Sequence, residues 1–299
     1  GVSAARILSE LEEESSPCHE QFDLVAGTST GGFIAAAVAT QSDLSAVHDT
    51  YRFYGDAFLK DRGMTLNALY PVERSAAFDT SLTAYIGERK LRDVAPDILI
   101  PALALKEAKA TVFTSRKAKA DTSDLLLKDA VLATSAAPMY LPPHEAEWGG
   151  ETSEYVDGGL FANNPALLAY LEAKRLADGR EIRILSVGTG RSGAQSLKDS
   201  VWDKMYNLRR RSDPTTRLYN AMIFSNLPHL LMEGGSSAVN QTLEDELGPR
   251  FMRLEPQFDG DVPPLAATSE KERGSMTELG FQTWQTHRTS VLSFLNPRA

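Results

Sequence analysis

The chain has 299 residues, 42% of them hydrophobic and 24% charged, with a net charge of −9 and one cysteine, Cys18. That length buries a substantial core without staples, and a lone cysteine excludes both an intramolecular disulfide and a cysteine-ligated structural zinc. The acidic balance disfavours nucleic acid and gives no general pull toward anionic membranes, so any lipid contact is local.

In chain order, Ala4, Ile7, Leu8 and Leu11 recur at helical spacing and predict a first helix ending near Ser15. Residues 22–26 predict a short apolar strand, and 32–40 a buried helix of small residues. Its small and apolar core, 33–39, is far short of the ~20 residues that cross a bilayer. Leu44, Val47, Tyr51, Tyr54 and Phe58 keep helical spacing, whereas 62–77 reads as a loop or lid. Strands are predicted over 98–105 and 111–114, a helix over 126–135, and a brief strand at Tyr155 and Val156. Asn164 as cap and Pro165 at the first helical position open a helix running to about Gly179. Ile182 to Val187 is a further strand, closed by Gly188-Thr189-Gly190.

Beyond Arg191 the pattern weakens to a polar, basic stretch over 202–217, an apolar helical stretch over 221–232, a late strand at 251–254 and a terminal helix over 277–295. The alternation predicts an α/β fold with a mainly parallel central sheet and helices on both faces. One domain over 1–299 is expected, with 191–299 as its helical C-terminal portion. No transmembrane segment, metal site or cofactor is expected, and the chain is placed in the cytoplasm or at membrane surfaces. A start at Gly1 rather than Met leaves secretion open.

Gly27-Thr28-Ser29-Thr30-Gly31 joins the first strand to the small-residue helix. Glycine two before and two after a serine lets the chain bend sharply and leaves the hydroxyl exposed at the sheet edge. Ser29 is therefore the candidate nucleophile, and the Thr30 N–H at the helix start is the candidate oxyanion donor. The same pentapeptide also arises as a plain strand-to-helix turn, so a base is needed. Histidine following an acid is the usual partner, and His229 and His287 lie late enough in the chain, but both fall in helix-like stretches. Asp157, at a strand end before Gly158-Gly159, could take the serine proton directly if burial raised its pKa.

Four ordered blocks then carry a resemblance. They are 22–26 running into Gly27–Gly32; Ala133-Thr134-Ser135-Ala136-Ala137-Pro138 with Pro142-Pro143; Asp157-Gly158-Gly159 through Asn163-Asn164-Pro165; and Leu185-Ser186-Val187-Gly188-Thr189-Gly190. Together they resemble the patatin-like lipid acyl hydrolases, firmly over about 1–190 and loosely beyond. The resemblance implies fatty-acid release from phospholipids or galactolipids without a metal, through an acyl-Ser29 intermediate with Asp157 as base.

The family's glycine-rich oxyanion loop and N-terminal strand have no counterpart, since Gly1 looks like the last glycine of that loop. Weak activity of this chain is therefore an expectation. The alternatives are a non-catalytic lipid-binding or storage protein of the same fold, or a histidine-triad esterase. The basic residues Lys204, Arg209, Arg210, Arg211 and Arg217 are a candidate headgroup patch, with a solvated loop as the plainer reading.

Overall fold

The computed structural model of the chain describes residues 1–47, 71–138, 140–192, 214–258 and 269–296, and of residues 46, 71–74, 192 and 214–230 the backbone alone. Helix α1 (Val2–Glu14) buries Ile7 and Leu11, and a short helix α2 (Cys18–Gln21) leads into strand β1 (Leu24–Ala26). Helix α3 (Thr30–Thr40) is buried from Gly32 to Thr40, which is why its sequence is apolar all round rather than striped. Helix α4 (Pro71–Ile86) precedes strands β2 (Asp97–Ala104) and β3 (Lys109–Thr114), then helices α5 (Ser115–Ala120) and α6 (Leu127–Ser135). Strands β4 (His144–Trp148) and β5 (Glu151–Asp157) form a hairpin closed by Gly149 and Gly150, both at positive φ (66° and 81°) as a two-residue turn demands.

A short helix α7 (Gly159–Ala162) follows Asp157, and helix α8 (Ala166–Leu176) then leads to strands β6 (Ile184–Val187) and β7 (Arg191–Ser192). The long helix α9 (Pro214–Leu247), strands β8 (Phe251–Leu254) and β9 (Gln257–Phe258), and helix α10 (Glu270–Leu295) complete the described chain. The N-cap of α8 is Pro165 rather than the expected Asn164; Asn164 Oδ1 accepts the Ala166 N–H at 3.1 Å while its Nδ2 donates to Asn240 of α9 at 2.8 Å. Helix α10 opens with a capping box between Ser269 and Glu272 and packs along α1, with Trp284 fully buried and its indole N–H donating to Glu14. No helix among the described residues is long and apolar enough to cross a membrane.

The sheet places the site. Strand β3 pairs with β2 from Leu99 to Ala104, occupying one edge. Strand β1 pairs in parallel with β2 at 97–99, and β5 pairs antiparallel with it at 102–104. Because Leu99 and Ala102 each already face β3, β1 and β5 share the opposite edge and run toward each other along it. They stop tip to tip on either side of Ile100–Pro101, and the chain leaving β1 meets the chain leaving β5. A proline suits that gap, where no strand is present to receive a backbone N–H.

The α/β class agrees with the sequence, but the expectation of a mainly parallel sheet is corrected. In the five-stranded sheet only β1–β2 is parallel, while β2–β3, β2–β5 and β4–β5 are antiparallel, because short turns join two of those pairs. The two-stranded pairs β6–β8 and β7–β9 are parallel. The loop or lid read over 62–77 is corrected at its end, since 71–77 open α4, with Pro71 in its first turn where a missing N–H breaks no bond. Residues 62–70, the helical spacing from Tyr51 to Phe58, and the basic patch at Lys204 and Arg209 to Arg211 lie outside the described residues.

Helix α1 crosses α10 at Gly280, where a Cβ would stand 2.6 Å from the Ser3 carbonyl oxygen and 2.9 Å from Arg6 Cβ. Gly280→Ala is expected to lower stability by ~1–3 kcal/mol in chemical denaturation, because one of the obstructing atoms is backbone. Gly274 lies on the same helix with nothing within 4 Å of its Cβ position. Gly274→Ala is expected to raise stability by ~0.5–1 kcal/mol through helix propensity alone.

Candidate active site

The turn after β1 is built by close approach. Gly27 continues the ladder by donating its N–H to the Leu99 carbonyl at 3.1 Å, and a Cβ on it would fall 1.9 Å from the Gly31 carbonyl oxygen. Only glycine admits that fold-back. Ser29 then stands at φ 55° and ψ −123°, a conformation costing an L residue ~1–3 kcal/mol and kept only where the surroundings enforce it. Three contacts do so. Thr28 donates its hydroxyl to the Ala162 carbonyl at 2.6 Å, the Gly31 N–H returns to the Thr28 carbonyl at 2.8 Å, and the Ser29 N–H donates to Thr134 Oγ1 at 3.0 Å.

Ser29 occupies the N-cap position of α3, where a serine hydroxyl ordinarily accepts a backbone N–H of the first turn. Here it makes no capping bond, and the hydroxyl is placed to favour the ionised form of the Asp157 carboxylate. The Thr30 N–H, at the positive end of α3, has no hydrogen-bond acceptor among the described residues.

Asp157 ends β5, with its N–H donating to the Ala136 carbonyl at 3.0 Å and its Oδ1 accepting the Gly159 N–H at 2.7 Å. Gly158 presses on the strand gap, since a Cβ there would meet the Pro101 carbonyl oxygen at 2.2 Å. Asp157 is 7% exposed, and burial raises its pKa from 3.8 to about 6 against the lowering effect of Ser29 and of the Gly159 N–H. A hydroxyl beside a shielded carboxylate that titrates near neutrality suits direct proton transfer.

These contacts bring together Ser29, Asp157, Gly27, Gly31, Gly158 and Gly159. None of the described histidine side chains hydrogen-bonds either residue. His287 is exposed on α10, His144 pairs with Asp129 at 3.1 Å, and His19 sits 4.0 Å from Glu20. His229 lies in α9, outside the described side chains. Thr134 and Pro101 escaped the sequence reading as functional positions, Thr134 having been quoted only within a motif block.

Helix α9 approaches the same place, with Met232 Cε 3.8 Å from a Cβ position on Gly159. Next to it Leu231 is 65% exposed, and Leu160 and Phe161 on α7, which packs on α9, are 58% and 40% exposed. Arg191 and Glu233 pair at 2.9 Å on the segment following Met232.

The family model for patatin-like phospholipase matches residues 1–170, more than half of the chain. The chain belongs to the patatin-like phospholipase family. It is 29% identical over 253 residues to patatin-like protein 4 of Arabidopsis thaliana, covering 72% of this chain and 63% of that one. It is 30% identical to a cGAMP-activated phospholipase of Escherichia coli, over 63% of this chain and 58% of the relative. A cGAMP-activated phospholipase of Pseudomonas aeruginosa is 26% identical over 98% of this chain and 91% of its own length. The chain spans 54–63% of the length of three plant relatives, and 73–74% of two further Arabidopsis thaliana relatives.

Shielding Asp157 has a stability consequence. A raised carboxyl pKa means that the native state's advantage is fully present below about 3.8 and is lost as pH climbs to about 6. Asp157→Asn is therefore expected to stabilise the fold at pH 8, by at most ~3 kcal/mol for a shift of this size, with the gain shrinking as pH falls from 6 toward 4. Denaturation of both proteins across that range measures it.

Proposed function

We propose that the chain is a lipid acyl hydrolase that releases fatty acid from phospholipids or galactolipids through an acyl-Ser29 intermediate, with Asp157 as its base. The observation that carries this reading is a Ser29 that does not cap its helix and stands beside a buried carboxylate whose pKa is raised. In the first half-reaction Ser29 Oγ attacks the acyl carbonyl carbon as its proton passes to Asp157, giving a tetrahedral oxyanion. The Thr30 N–H and the N-terminal end of α3 supply stabilisation to that oxygen. Collapse breaks the ester C–O bond, and Asp157 returns the proton to the leaving alcohol. Water, deprotonated by Asp157, then attacks the acyl carbon, and as the bond to Ser29 Oγ breaks Asp157 returns the proton to that oxygen and the fatty acid is freed. The exposed apolar side chains of Leu160, Phe161 and Leu231 favour a substrate with acyl chains.

Hydrolysis of phosphatidylcholine vesicles tests the reading. Ser29→Ala is expected to reduce turnover to background and Asp157→Asn to reduce it ~10²–10⁴-fold, the range for loss of a general base. Only the ionised carboxylate accepts a proton, so kcat/KM should rise with pH through an inflection near 6 and stay level above it. His229→Ala and His287→Ala should leave turnover unchanged, and loss of activity in either would instead support a histidine triad.

A second reading concerns control. The Pseudomonas relative that matches nearly end to end is a cGAMP-activated phospholipase. On that basis we propose activation of this chain by a cyclic dinucleotide, expected as faster vesicle hydrolysis when cGAMP is added. An unchanged rate at saturating cGAMP rejects it.

A further inference from the structure

The gap between the tips of β1 and β5 leaves polar backbone groups that the sheet cannot satisfy. The Pro101 carbonyl faces the shared edge of β2, as the Leu99 carbonyl two residues earlier does where it accepts the Gly27 N–H. No strand reaches it there. The Ser29 N–H is a second such group, since Ser29 has left β1 and stands at the cap of α3 in a conformation that belongs to neither.

One side chain answers both. Thr134, at the end of α6 and fully buried, accepts the Ser29 N–H on Oγ1 at 3.0 Å and donates its own hydroxyl proton to the Pro101 carbonyl. Its methyl group packs where a Cβ on Gly32 would lie, 2.7 Å from that position, so the residue also bears on the first turn of α3. The same Pro101 carbonyl is the atom against which Gly158 of the base loop is pressed. The main chain of the nucleophile and the loop carrying the carboxylate are thus both referred to one oxygen.

We propose that Thr134 is a positioning residue for the hydrolysis, its hydroxyl fixing the main chain of Ser29 against the Pro101 carbonyl and thereby the approach of Ser29 Oγ to Asp157. The inference rests on the reading of Ser29 as nucleophile and Asp157 as base. Thr134 touches neither substrate nor the reacting atoms. Its effect is on the fraction of time in which the hydroxyl is aligned, which enters turnover and leaves the affinity for substrate nearly untouched.

Thr134→Val keeps the shape and removes both hydrogen bonds, whereas Thr134→Ser keeps the hydroxyl and removes the methyl group. With a soluble short-chain ester, assayed well below the unfolding temperature of each variant, Thr134→Val is expected to lower kcat about 10- to 100-fold with KM within a factor of two. Thr134→Ser is expected to restore most of that turnover. A residue serving stability alone would lower the unfolding temperature of the valine variant and leave its kcat at the wild-type value, and that result overturns the proposal. Should the valine variant fail to fold, Thr134→Ser against Thr134→Ala isolates the hydroxyl in a smaller side chain. Equal kcat in that pair also overturns the proposal, and a slow alanine variant supports it.

Ser29→Ala measured alongside separates the two levels of inference. If it turns over at the wild-type rate, the nucleophile reading falls and Thr134 with it. If it is inactive while Thr134→Val is not slowed, only the positioning proposal falls.

Discussion

The meeting of β1 and β5 on one edge of β2 is the constraint from which the candidate site follows. Two strands that share an edge and approach from opposite directions must stop short of each other, and the chain at each tip must turn out of the sheet. One exit is the glycine-flanked turn that holds Ser29, and the other is Asp157 with its two glycines. A serine and an aspartate separated by more than a hundred residues are brought together by strand register. The groups left unpaired at the junction then require Thr134, and the turn packed there requires glycine at Gly27 and Gly158.

Within that frame the chemistry depends on a balance at Asp157. Burial disfavours its charge, while Ser29 and the Gly159 N–H favour it, and the outcome is a carboxyl titrating at about 6. A fully solvated aspartate would be too weak a base, and one deprived of Ser29 and the Gly159 N–H would titrate higher still. The strained backbone of Ser29 is a second cost, offset by the contacts of Thr28, Gly31 and Thr134 around it. Stability is given up at the place where the reaction is proposed to occur, as a site of this kind requires.

Much of this was legible in the sequence, and the limits are instructive. The Ser29 turn could be read because its glycines are local, lying two residues to either side between an apolar strand and a small-residue helix. Asp157 could be read from Asp-Gly-Gly at a strand end. The direction of strand pairing could not, although Gly149-Gly150 was a local hairpin signal and Glu145, Ala146, Glu147 and Trp148 alternate polar and apolar as a half-buried strand does. Helix α9 continues to Leu247, well past the expected stop at Met232, because Gly234 and Gly235 have nothing within 4 Å and are simply accommodated in the helix. Helix α10 begins at Glu270 rather than 277 because Ser269 and Glu272 cap it, a pattern present in the sequence but overlooked. The role of Thr134 was invisible in principle, since it depends on a contact across 105 positions and on a gap that exists only once three strands are in register.

Covalent labelling reads, without assuming a substrate, whether Ser29 is a nucleophile that Asp157 activates. A fluorophosphonate probe reacted with the folded chain at a series of pH values, with the adduct located by mass spectrometry, is the direct measurement. The account predicts modification of Ser29 at a rate that rises through pH 6 and is largely lost in Asp157→Asn. An adduct on another residue, or labelling of Ser29 that is indifferent to Asp157, would contradict it.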